Sequence, residues 1–171
     1  LDKLRMSFWR YNNRVHGLAS SKLAIEQQVL EADMVIGAVL IPGAKAPKLV
    51  TNDLVAAMKP GSVLVDIAVD QGGCFEDTHA TTHADPIFEV HNSIFYCVAN
   101  MPGAVPNTST YALTNATLPY TVALADKGWE QACRDDHSLS LGLNTHAGKL
   151  TNKPVGVAHD MDAIDPAEVL V

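Results

Sequence analysis

Three short, mostly apolar runs constrain this chain more than any other feature: Met34-Val35-Ile36-Gly37-Ala38-Val39, Ser62-Val63-Leu64-Val65-Asp66-Ile67 and Ile94-Phe95-Tyr96-Cys97-Val98. Each is too short for a helix and rich in β-branched or aromatic residues, which predicts strands buried on both faces of a parallel sheet. Ahead of the first run, Leu23, Ala24, Ile25, Val29, Leu30 and Ala32 recur at helical spacing, with Ser20 or Ser21 placed to cap the helix and Asp33 closing it. Between the first two runs lie a loop rich in Gly, Pro and Lys (Leu40 to Lys48), a short helix over Asn52 to Met58, and a Lys59-Pro60-Gly61 turn. Strand, helix, strand with loops at the strand ends is the grammar of an α/β parallel-sheet fold.

The grammar changes after the third run. Tyr111 to Gly128 predicts one long helix with Pro119 as its kink, then shorter helical pieces to about Leu143. Asn144 to Val171 is polar and broken by Gly, Pro and Asp, which predicts loop with a short terminal turn. The stretch from Ala68 to about Ile87 predicts a loop carrying Asp70, a Gln71-Gly72-Gly73 turn, His79 and His83. Leu1 to Tyr11 reads as helix, interrupted at Asn12-Asn13. A chain that opens inside a helical stretch, without an initiator Met, is expected to be a piece of something longer. A natural division falls between 1–107 and 108–171.

Composition narrows the function classes. With 171 residues and 47% apolar content the chain can bury a core of ordinary size. Twelve Lys and Arg against nineteen Asp and Glu give a net charge of −7, and no segment gathers the basic residues. Nucleic acid and membrane surfaces are therefore not expected partners. The longest run free of polar side chains, Met34 to Ala44, falls well short of the ~20 residues needed to span a bilayer. No secretory signal is recognisable, and the composition points to the cytoplasm. Three cysteines, Cys74, Cys97 and Cys133, suit neither a disulfide framework nor a zinc knuckle and read as reduced thiols.

In an open parallel sheet, ligands sit beyond the carboxyl ends of the strands. The residues there are Val39-Leu40, Ala68-Val69-Asp70 and Ala99-Asn100-Met101. Apolar and backbone-presenting groups beside one carboxylate and one amide suit a nicotinamide ring with a polar substrate next to it. Asp70 has a second reading, as a cap of the turn before Gly72-Gly73. Asn100 can equally be a turn residue, and Val39 and Leu40 can be core. No G-x-G-x-x-G occurs, so the phosphate cradle of a dinucleotide is expected upstream of Leu1. His79 and His83 stand four apart but lack the acidic neighbour of a zinc helix, and no metal is expected. No G-x-S-x-G elbow supports a serine hydrolase.

The run from Ala32 through Asp33-Met34-Val35-Ile36-Gly37-Ala38-Val39-Leu40-Ile41-Pro42-Gly43-Ala44-Lys45-Ala46-Pro47-Lys48-Leu49 to Val50 resembles alanine dehydrogenases. The resemblance continues through Met58-Lys59-Pro60-Gly61-Ser62-Val63, Val65-Asp66-Ile67-Ala68-Val69-Asp70-Gln71-Gly72-Gly73, Tyr96-Cys97-Val98-Ala99-Asn100-Met101-Pro102-Gly103 and Thr108 to Thr117. It covers essentially the whole chain. It is a resemblance to the C-terminal part of the alanine dehydrogenase / pyridine nucleotide transhydrogenase family, and the Asp-Gln-Gly-Gly form favours the dehydrogenase branch.

The resemblance implies an oxidoreductase that converts L-alanine reversibly to pyruvate and ammonia with NAD, as a homohexamer of two-domain subunits. It implies a partial Rossmann-like sheet over 1–107, the second half of the NAD-binding domain. Residues 108–171 would then be a long helix and tail that pack on a substrate domain. It implies that Lys3 and Ser20 contact the adenosine half of NAD and that Val39 and Leu40 lie along the cofactor. Ile67, Ala68, Val69 and Asp70, with Val98, Ala99, Asn100 and Met101, would surround the nicotinamide. Asp70 matches the family's catalytic aspartate, whose carboxylate would favour the developing iminium while apolar walls exclude water.

The chain departs from the family pattern at His79, where some relatives carry an Arg, and at Lys127, where some carry a His. The family's substrate-binding Lys and Arg, its acid/base His and its glycine-rich turn have no counterpart in these residues. The chain alone is therefore expected to lack turnover, and its unpaired sheet edge to cause aggregation or dependence on a partner. Two other readings stand beside this one. One is the nucleotide-binding subunit of a proton-translocating transhydrogenase, and the other a remnant kept for assembly.

Overall fold

The structure, a computed structural model, describes residues 2–12, 14–41 and 44–170. Readings that touch Leu1, Asn13, Pro42, Gly43 and Val171 lie outside the described residues. The chain divides into two units, Leu1–Val39 with Ala46–Ala99, and Leu40–Lys45 with Asn100–Val171.

The first unit contains α1 (Asp2–Arg10), α2 (Lys22–Glu31), β1 (Met34–Gly37), α3 (Asn52–Ala56), β2 (Val63–Asp66), β3 (Ile87–Val90) and β4 (Ser93–Tyr96). Helix α2 starts where a hydroxyl can satisfy an orphan amide: Ala24 N donates to Ser21 Oγ at 3.1 Å. Thr51 does the same for α3, accepting from Leu54 N at 3.3 Å. The sheet has the order β1-β2-β4-β3, with β1, β2 and β4 parallel and β3 antiparallel to β4. Val35 pairs with Leu64 and Leu64 with Phe95, so one register row lines the core face. Phe75 meets Phe95 edge to face at 6.0 Å, and Val29 of α2 and Val55 of α3 close over them.

Three of the four strands occupy the apolar runs, which confirms the parallel α/β sheet. They differ from expectation in their burial. β1 is an edge strand, with Met34 and Ile36 exposed by 57% and 59%. In β2, buried Leu64 and Asp66 alternate with half-buried Val63 and Val65. Within this unit the core sits on one face of the sheet, and a mostly apolar run does not reveal that. β3 lies where the sequence assigns loop and then no strand. Its hairpin turns at His91-Asn92, with His91 at φ 53°, and this pair lacks the glycine that usually marks a hairpin turn.

The second unit contains α4 (Pro106–Asp135), α5 (His137–Ser140), a β5 (Thr145–His146) and β6 (Lys149–Leu150) hairpin, and α6 (Lys153–His159). Backbone angles stay helical through Pro119, where a kink is expected, and leave the helix at Gly128, φ 75° and ψ 161°, where the sequence ends the long helix. Proline's fixed φ suits a helix even as it removes one hydrogen bond, whereas a left-handed φ ends one. Across the break Lys127 Nζ meets Asp135 Oδ2 at 2.6 Å. That bond raises the lysine's pKa and lowers the carboxylate's.

The polar tail is more ordered than its composition predicts. Ala147 and Gly148 at positive φ turn the β5–β6 hairpin, Asn152 Oδ1 caps α6 through Val155 N, and Asp165 and Glu168 form a capping box. Among the described residues no helix is long and apolar enough to cross a membrane.

Candidate functional site

Parallel pairing brings the carboxyl ends of neighbouring strands to one edge of the sheet. Gly37 ends β1 opposite Asp66, which ends β2, and Ile67 N donates to Gly37 O at 2.8 Å. Beyond Tyr96 at the end of β4, Thr81 N donates to Cys97 O at 3.0 Å and Ala99 N to Thr81 O at 3.2 Å. In the first unit this edge gathers Val39, Ile67, Ala68, Val69, Asp70, Val98 and Ala99. Ile67 is exposed and Val39, Ala68 and Ala99 are half-buried, so they can offer apolar surface. Val69 and Val98 are buried and can offer a ligand only their backbone.

Asp70 sits on a single 3-10 turn, Val69–Gln71. Backbone bonds alone close this turn, from Gln71 N and Gly73 N to Ala68 O at 2.9 Å each and from Gly72 N to Val69 O at 3.0 Å. The exposed Asp70 carboxylate accepts none of them. An apolar shelf with an uncommitted carboxylate beside it fits the flat face of a heteroaromatic ring and a cationic group next to that ring.

Asp66 is a residue the sequence reading counted inside the strand run Ser62–Ile67 and gave no role. It is fully buried, yet it is the hub of the loop that follows. Its Oδ1 accepts from Ala68 N at 3.0 Å, and its Oδ2 accepts from Cys74 N at 2.8 Å, Phe75 N at 3.3 Å and Thr78 Oγ1 at 2.5 Å. Full hydrogen bonding is what makes a buried carboxylate tolerable. From outside, Lys48 Nζ donates to Gly72 O and, at 2.8 Å, to Phe75 O. Two thiols lie near this hub: burial, with the Asp66 charge second, pushes Cys97 up to about 11, and burial likewise pushes Cys74 up. Both are neutral thiols at physiological pH.

The other candidates lie elsewhere. Lys3 is on α1, where its carbonyl accepts from Ser7 Oγ at 2.7 Å. Ser20 lines a groove of about 390 Å³ with Lys22, Ile25, Lys48 and Leu54, at the N-terminal ends of α2 and α3. Leu40, Asn100 and Met101 belong to the second unit. Asn100 takes a left-handed backbone, φ 59° and ψ 52°, directly before the turn Met101–Ala104. His79 lies flat against Phe88, ring centroids 3.8 Å apart. The second unit also holds a groove of about 460 Å³ lined by His137, Leu141, Pro154, Pro166 and Leu170, and none of the candidate residues lines it.

The family described as "Alanine dehydrogenase/PNT, C-terminal domain" matches residues 3–153. Alanine dehydrogenase of Mycolicibacterium smegmatis is 58% identical over 170 residues, 99% of this chain and 46% of that protein. Alanine dehydrogenase of Mycobacterium tuberculosis is 56% identical over the same length and shares. A solved structure of L-alanine dehydrogenase superposes with a TM-score of 0.78 at 47% identity, covering 93% of this chain and 44% of that one. The chain thus spans about half the length of the curated relatives it matches.

Proposed function

The chain belongs to the alanine dehydrogenase/PNT C-terminal domain family, and from that premise we propose that it forms the C-terminal part of an NAD-dependent alanine dehydrogenase. The reaction is the reversible oxidative deamination of L-alanine to pyruvate and ammonia. The observation that carries this reading is Asp70, a carboxylate at the apolar strand edge that serves no part of its own turn.

NAD, when bound, supplies the nicotinamide carbon that takes up the hydride. Val39, Ile67 and Ala68 of the first unit would hold the ring face and keep water from it. Val69, Val98 and Ala99 would contribute backbone groups to the same ring, and the family resemblance also assigns cofactor contacts to Leu40, Asn100 and Met101 of the second unit. Asp70 holds a negative charge beside the substrate's amino group, where positive charge grows as the iminium forms, so it is worth more in the transition state than in the ground state. Lys3 and Ser20 contact the adenosine half.

We assign 1–107 to the C-terminal half of the NAD-binding domain and 108–171 to a helix and tail that pack on a substrate domain. The complete enzyme is a cytoplasmic homohexamer. The test is NADH formation from L-alanine and NAD by the complete protein, upstream half included. Alanine-dependent NADH supports the reading, and NAD binding without it contradicts the dehydrogenase and favours the transhydrogenase type of subunit.

A further inference from the structure

Surface loops are ordinarily among the least stable parts of a fold, yet a charge that acts on a transition state must be held still. The loop 68–78 is pinned from two sides by opposite charges. From beneath, the Asp66 carboxylate gathers the N–H groups of Ala68, Cys74 and Phe75 and the hydroxyl of Thr78. From outside, the Lys48 ammonium gathers the carbonyls of Gly72 and Phe75. Asp70 lies between the groups so held, Ala68 before it and Gly72 after it, and Ala46 N ties down Gln71 O at 2.9 Å. The chain leaves no slack for another residue at Gly73, where a Cβ would stand 2.6 Å from Asp66 Oδ2 and 2.4 Å from Thr78 Cγ2.

The lysine is the informative half of this arrangement. It is exposed, so it fills no core, and its ammonium meets main-chain carbonyls instead of a carboxylate. Hydrogen bonds from a charged donor are the stronger kind, and both of these end on the main chain of the loop, so what they fix is its position. We propose that Lys48 and Asp66 are positioning residues, a two-sided clamp that sets the place of the Asp70 carboxylate for hydride transfer. The proposal rests on the dehydrogenase reading above, which gives neither residue a catalytic role; because Lys48 lines the groove that also holds Ser20, the NAD dissociation constant separates positioning from cofactor contact.

The test uses the complete protein with Lys48→Met, Lys48→Arg and Asp66→Asn. Lys48→Met keeps the stem and removes the donors. It is expected to lower kcat about 10-fold, to leave the NAD dissociation constant within ~2-fold, and to raise the kinetic isotope effect with alanine deuterated at Cα. Amide exchange in 68–78 is expected to quicken by roughly 10-fold while α2 and β4 keep their protection. Lys48→Arg, which can still donate to two carbonyls, is expected to restore most of kcat. Asp66→Asn is expected to act in the same direction and more strongly, or to fail to fold, which leaves the lysine pair to decide.

Unchanged kcat and unchanged loop exchange in Lys48→Met overturn the clamp, as does equal loss in Lys48→Met and Lys48→Arg. A wild-type protein that forms no NADH from alanine overturns the functional reading instead, and the exchange measurement then still shows whether the loop is held as described.

Discussion

At the scale of single residues, the loop after β2 shows what a sequence can and cannot announce. Asp70 is legible, because a lone carboxylate just past a buried strand stands where parallel sheets bind ligands. Asp66 is not, because an Asp flanked by Val65 and Ile67 is counted with the strand it sits in. Its partners at 74, 75 and 78 are brought back only by the folded loop. Gly73 belongs to the same knot, with φ 75° and no room for a methyl group. Gly73→Ala is expected to cost about 2 kcal/mol or more in a urea titration, through a left-handed backbone and the clash with Thr78. The thiols give a second check. Cys74, Cys97 and Cys133 are buried, and burial pushes the pKa of each upward, Cys97 to about 11. At pH 7 the folded protein is expected to react with Ellman's reagent far more slowly than the unfolded protein, in which all three should titrate at once.

At the scale of elements, the sequence shows β1, β2 and β4 because continuous β-branched runs leave few alternatives, and it shows α2 because Ser21 precedes a helical repeat. It hides β3, whose alternating Ile87-Phe88-Glu89-Val90 pattern is too short to stand out and whose turn lacks glycine. It places the end of the long helix at Gly128, where the backbone does leave the helix, but it also expects a kink at Pro119, where the backbone angles stay helical. The Lys127–Asp135 bond spans that break, and hydrogen bonds from Lys127 and Gln131 hold the carboxyl below its usual range. A depressed carboxylate stabilises the fold above its unfolded pKa and loses that contribution as pH falls through its folded value. The anchoring of the segment after Gly128 is therefore expected to weaken on acidification below about pH 4 and to weaken with salt. Circular dichroism of wild type and Asp135→Asn would read it: the helical signal of the variant should already be at the acid level near neutrality. Identical acid titrations of the two proteins contradict it.

At the scale of the whole molecule, the fold class is legible and the layout of the second unit is not. Local pattern decides the strands, whereas α6, the β5–β6 hairpin and the capping box at Asp165 depend on caps and positive-φ turns scattered through a polar stretch. The same scale limits activity. The chain spans 46% of its curated relatives and contains no glycine-rich phosphate turn. The 171 residues alone are expected to form no NADH from L-alanine, and any alanine-dependent NADH from them contradicts this. With Met34 and Ile36 exposed on an edge strand, the isolated chain is also expected to elute from a sizing column well above its 18.3 kDa, and a clean monomer contradicts that.

The central claim is that the strand edge presents an apolar shelf and one uncommitted carboxylate to a nicotinamide ring and an amino acid. Its most direct test is Asp70→Asn in the complete protein, with kcat for alanine oxidation and the NAD dissociation constant measured side by side. The account expects turnover to fall by ~10²-fold or more while NAD affinity changes far less, the pattern of a charge that acts mainly in the transition state. Turnover equal to wild type would make Asp70 a turn residue and contradict the account.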